Sequence, residues 1–178
     1  MDSIARSREG VSQLDTSTLR PMLIYTVDRH NSVSAGYAFV SSYPVAGGRT
    51  TEHRLFGIYQ WSGPSGGGTL SMRVRVEDRM IEANSGVLWR VRPQARFSHS
   101  FKTGGRLSWV SWDELSLHLN TTTRSPRGID QNRAFAGIGS AWSPKMRTEI
   151  GYLNQFLPGH GAANRMNHIV STTMTLSF

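Results

Sequence analysis

Residues 69–80 read TLSMRVRVEDRM, and two chemistries alternate along them. Leu70, Met72, Val74 and Val76 fall on one side, and Ser71, Arg73, Arg75, Glu77 and Arg79 on the other. Successive side chains of a β-strand point to opposite faces. The stretch therefore predicts a strand with one apolar and one ionic face.

Working outward, the next segment repeats the pattern. In VLWRVRPQARFSH (residues 87–99), Trp89, Val91, Ala95 and Phe97 alternate with Arg90, Arg92, Gln94 and Arg96, and Pro93 interrupts the ladder on the apolar side. Similar runs are LRPMLIYTVD (19–28), SVSAGYAFVSSY (32–43), TEHRLFGIYQW (51–61), LSWVSWDELSLHLN (107–120), QNRAFAGIGSAW (131–142), MRTEIGYLNQF (146–156) and NHIVSTTMTLSF (167–178). The fragment from Ile4 to Glu9 is a weak first strand, giving about ten in all. No window of helical length carries an i, i+3, i+4, i+7 apolar stripe, so the chain reads as all-β.

The connections differ in character. DRHN (28–31) and SPKM (143–146) are tight, whereas VAGGRT (45–50), SGPSGGG (62–68), NTTTRSPRG (120–128) and LPGHGAAN (157–164) read as longer loops. Short turns alternating with long loops characterise membrane barrels.

Alternation by itself fits a soluble sandwich or barrel as well, with the apolar face inward. Three features favour a bilayer. Many runs reach about 10 to 13 residues, closer to tilted membrane strands than to the globular mode of roughly 5 to 6. Tyr43, Tyr59, Trp61, Trp142, Phe156 and Phe178 sit near strand ends, where interfacial girdles lie. The last run ends in Phe178, preceded at steps of two by Leu176, Met174, Thr172 and Val170. That ending resembles the signal read by the outer-membrane assembly machinery.

Composition bounds the chemistry. The 178 residues contain no cysteine, which excludes disulfides, thiolate metal sites and a thiol nucleophile. Apolar runs are far shorter than the roughly 20 residues of a spanning helix. The opening MDSIARSREG has no apolar core of a secretory signal. Net charge is +8, and 18 of the 20 basic residues are arginine. The expected fold is a single domain over residues 1–178: an antiparallel up-and-down transmembrane β-barrel of about ten strands.

The blocks LRPMLIY, GYAFV, TEHRLF, RVRVEDR, SWDELSLHLN, GIDQNRAFAGIG, EIGYLNQF and NHIVSTTMTLSF occur in that order along the chain. In this it resembles domain of unknown function 2490. The most specific blocks are Asp130 to Arg133, Gly151 to Gln155, and Asn167 with His168. The resemblance implies a Gram-negative outer-membrane barrel with no established activity, a signal peptide upstream and a complete first strand. Ile4 to Glu9 reads as the tail of that strand, so the expectation is a front lacking its leader and part of the strand.

In a barrel the ionic face points into the lumen. The expected luminal network is Glu52, Arg54, Arg73, Arg75, Glu77, Arg79, Arg90, Arg92, Arg96, Glu114, Arg133, Arg147 and Glu149. Interstrand ion pairs would fill a narrow lumen; an arginine ladder along a pore would instead attract anions. The expected role is structural or a narrow channel, with outer-membrane lipids and, through Phe178, the assembly machinery as partners.

One alternative is a lipid-modifying hydrolase using a serine activated by histidine, with candidates His168 with Ser171, His99 with neighbouring serines, and His118 beside Asn120. Residues one apart on a strand face opposite sides, which weakens such pairings, and no catalytic residue is assigned. For the same reason Asp113 and Glu114 do not form an acid–base pair. Another alternative is a soluble basic β-barrel binding anionic ligands. A nucleic-acid platform would interleave stacking aromatics, but Trp89 and Phe97 lie opposite the arginines. No nucleic-acid partner, cofactor or metal is expected.

Overall fold

A computed structural model describes residues 2–8, 13–43, 48–82, 84–123 and 125–176. Within these every regular element is a strand. They are β1 (Asp2–Arg8), β2 (Gln13–Arg20), β3 (Met22–Thr26), β4 (Asn31–Ser42), β5 (Thr50–Ser65), β6 (Gly68–Ile81), β7 (Val87–Ser100), β8 (Leu107–His118), β9 (Gly128–Ser143), β10 (Met146–Leu157) and β11 (Arg165–Leu176). They form one sheet in the order β1-β2-β4-β5-β6-β7-β8-β9-β10-β11, with β3 also on β4.

The expected ten strands and the observed eleven agree once Pro21 is considered. β2 pairs with β4 at Leu19↔Phe39 and β3 pairs with it at Met22↔Gly36, so the two segments keep one register. Proline cannot donate to the ladder, yet its carbonyl accepts from Tyr37 N at 3.2 Å. β2 and β3 are one strand with a proline break. Every strand then neighbours its predecessor, an antiparallel meander.

One expected loop is corrected. SGPSGGG is no long connection, because β5 runs to Ser65 and β6 begins at Gly68. Only Gly66 and Gly67 turn the chain, at φ +52° and +76°. Two consecutive positive φ values make a two-residue hairpin whose twist matches its strands, and glycine adopts them without steric cost. The connection at VAGGRT lies in part outside the described residues, as do Glu9 and Phe178.

The chain divides into two compact units. The first comprises residues 1–59, 74–91 and 117–128; the second comprises 60–73, 92–116 and 129–178. In both, aromatic rings cover strand glycines. In the first unit a Cβ on Gly36 would lie 2.5 Å from Phe56 Cζ. In the second the Phe135 ring lies over Gly137 and Gly151, where a Cβ would come within 2.7 and 2.8 Å. The ring occupies space that two side chains would otherwise need and restores packing that glycine removes.

The polarity of the sheet is inverted relative to a water-soluble β-protein. On β6 in the first unit, Arg75 is 4% exposed and Glu77 0%, while Val74 and Val76 are 42% and 41% exposed. In the second unit Glu114 is buried, whereas Met72, Trp109, Ile150 and Met174 are exposed. The face that alternation marks as ionic is the buried face.

Candidate functional site: a buried arginine and glutamate face

The strand period places the charged residues of each strand on the buried face, and the antiparallel register brings them side by side. In the first unit Glu52 accepts from two arginines at once. Arg54, two residues along the same face of β5, donates Nε and Nη2 at 2.7 and 2.8 Å. Arg79 on the adjoining β6 donates through the same two nitrogens at 2.5 and 3.1 Å. Arg79 also approaches His118, Nη1 to Nε2, at 3.5 Å. Glu77 stands between Arg75, 2.5 Å away, and Arg90, whose Nε donates at 2.6 Å. The Arg75 guanidinium also lies 3.8 Å above the Phe56 ring, so an aromatic face shares its charge.

In the second unit Glu114 collects three arginines. Arg92 and Arg73 reach it at 2.5 and 2.6 Å, and Arg133 bonds to the oxygen that Arg92 uses. Three guanidiniums carry far more N–H groups than one carboxylate can accept. Accordingly the Nε of Arg73 and that of Arg133 are buried with no acceptor among the described residues. Arg96 pairs with Glu149.

Among the described residues the ion-pair cluster of each unit thus sets four guanidiniums against two carboxylates. A buried pair of opposite charges does little net work against its desolvation cost, but an unpaired buried charge is strongly unfavourable. The glutamates therefore hold the arginines inside, and the surplus leaves both clusters formally positive.

Twelve of the thirteen residues expected on the ionic face are in these ion pairs. The exception is Arg147, which is exposed and, among the described residues, pairs with no carboxylate. Arg106 was missed. It lies just before β8, two residues from Ser108 and so on the parity of Glu114, a signal the alternation already carried.

The three most specific sequence blocks become neighbours on β9, β10 and β11. Gln155 pairs in register with Arg133 on one side and Asn167 on the other. Gln155 donates to Gln131 at 2.6 Å and accepts from Asn167 at 3.1 Å, extending the same polar face as an amide ladder out to the exposed β11. On the opposite face Asn132 donates to Asp113 at 3.0 Å, and Tyr152 bonds to His168.

The histidine and serine candidates part company here. His168 stands opposite Asn154 on β10 while Ser171 stands opposite Gly151, three residues further along the strand and on the other face. His118 Nδ1 lies 3.2 Å from the Pro126 carbonyl, and His99 stacks on Phe97. Asp113 is exposed while Glu114 is buried, as adjacent strand positions require.

The fold and this face define an antiparallel β-meander that buries charge and exposes apolar surface. The chain belongs to the family described as protein of unknown function (DUF2490), which matches residues 1–167. It is 34% identical over 176 residues to an uncharacterized protein of Methylorubrum extorquens, covering 97% of this chain and 77% of that one. No solved structure matches.

Proposed function

We propose that this chain is a bacterial outer-membrane β-barrel whose arginine and glutamate face fills the lumen, acting as a structural barrel or a narrow channel for anions. The observation that carries this reading is the inverted sheet, with Val74, Val76, Ile150 and Met174 outward and Glu77, Arg75 and Glu114 inward. Water would reverse that arrangement, because apolar side chains gain by leaving it and charges lose. Hydrocarbon outside and a polar interior is the arrangement of membrane barrels.

Aromatic hydrogen bonding at strand ends within each unit supports this reading. Near tight turns, Tyr59 bonds to Asn31 at 2.6 Å, and Trp142 bonds to Thr148 at 2.7 Å. Rings with one polar tip settle at the headgroup level. The lipids of the outer membrane would surround the barrel. Its assembly machinery would read β11 and Phe178.

The test is gel migration of the full-length protein refolded in detergent, boiled and unboiled, followed by conductance in a planar bilayer. A faster unboiled band supports the closed barrel. Anion-selective conductance supports the channel form, and its absence from well-inserted protein supports the filled, structural form. No band shift, with solubility in plain buffer, sinks the membrane reading.

A further inference from the structure

A cavity of about 300 Å³ opens on the buried face of the second unit. Its lining includes Arg96, Arg106, Arg147, Ser98, Ser100 and Ser108. The sequence explains both the space and the polarity. Gly139 stands between Ser108 and Glu149 and contributes no side chain; a Cβ there would lie 2.9 Å from Ser108 Oγ. The alternating positions of β7 here are Ser98 and Ser100, where the earlier positions of that face are Arg90, Arg92, Gln94 and Arg96.

The charge in this cavity is unbalanced. Arg96 is neutralised by Glu149. Arg106 and Arg147 have no carboxylate partner among the described residues. Two guanidiniums without a carboxylate partner, beside several hydroxyls, supply the donor types that phosphate oxygens accept, and arginine binds phosphate through paired charge-assisted hydrogen bonds.

We propose that this cavity is an oxyanion site that takes a phosphate group, with Arg106 and Arg147 as the charge-bearing contacts and Ser98 and Ser100 as hydroxyl donors. Arg96 shapes the wall, since Glu149 already holds its charge. The site lies wholly within the second unit and does not depend on whether the outer face meets lipid. Its phosphate could come free from solution or on a lipid headgroup.

The experiment titrates inorganic phosphate calorimetrically into the full chain refolded in a zwitterionic detergent at low salt. A parallel arm uses the same micelles doped with phosphatidic acid. Wild type should bind in at least one arm, and the Arg106→Gln/Arg147→Gln double variant should bind at least about tenfold more weakly, the loss expected for charge-assisted bonds. Both arginines are exposed, so the fold should survive, with circular dichroism as the check. Arg106→Lys/Arg147→Lys keeps the charge and should fall between the two. Binding only in the doped micelles assigns the phosphate to a lipid, and binding in both assigns it to the free ion as well. No binding in either arm, or an equal loss from Lys102→Gln, a nearby cation outside the lining, overturns the proposal.

Discussion

Arg96 on β7 and Glu149 on β10 form a two-point ion pair although β8 and β9 lie between their strands in the sheet. Three strand spacings on a flat sheet separate backbones by about 14 Å. The second unit must therefore curl towards its charged face, and Arg73 on β6 reaching Glu114 on β8 shows the same curl. Curling gives long charged side chains partners that no neighbouring strand supplies.

Glu114 is the countercharge of three arginines. Glu114→Gln keeps the shape and removes the charge, so it should destabilise by about 3 to 5 kcal/mol, the cost of leaving buried charge unpaired. Glu149→Gln should cost about 1 kcal/mol or less, because its side chain is 24% exposed and Arg96 can reach water. Urea unfolding of the refolded protein would rank the two, and equal costs would show that the Glu114 hub is not uniquely buried.

The cluster of Glu77, Arg75 and Arg90 should tolerate wholesale replacement better than partial loss. Glu77→Leu alone strands two buried guanidiniums. Glu77→Leu with Arg75→Met and Arg90→Met removes every charge and should recover most of the lost stability. A triple variant less stable than the single would mean that the ion pairs contribute more than they cost to desolvate.

Val74 separates a lipid-facing sheet from a water-facing one. In a bilayer, Val74→Arg on the outward face should cost about 2 to 4 kcal/mol near the midplane and reduce insertion. On a water-exposed face the same change should stay within about 0.5 kcal/mol. Folding yield into vesicles, compared with Lys102→Arg as a neutral control, gives the answer.

The 28–31 turn should add a small acid-sensitive contribution. Asp28 is held below the ordinary carboxylate range chiefly by the His30 backbone N–H, then by the Asn31 side chain. A depressed folded pKa means that its stabilisation is present above the unfolded value of about 3.9 and is lost as pH falls through the folded value. Asp28→Ala should remove that contribution, so its stability is slightly below wild type at neutral pH, converges with wild type in acid and loses that part of the acid dependence below about pH 4.

Much of this was written in single strands. The period of two in residues 69–80 identified the ionic face, and the same parity in the other strands identified twelve residues that now form ion pairs. It also contained Arg106, which was overlooked because it sits in a glycine-rich connection. Loop length was less legible. The composition of SGPSGGG is that of a loop, but two positive φ values in a tight hairpin use only two of its glycines.

What the sequence determined by itself was local: strand positions, their order, and which residues share a face, because alternation is set by backbone geometry. Alternation alone could not say which face is buried, since Val74 and Arg75 fit either assignment equally well along an isolated strand; strand length and the aromatic strand ends were what favoured the ionic face. Tertiary structure decided that. Curvature of the second unit brings Glu114 within reach of three arginines and Arg96 within reach of Glu149, so carboxylates offset much of the charge on the buried face and the apolar side chains are left on the other. The partners come from strands that are not neighbours in the sheet, and their meeting depends on how the second unit bends.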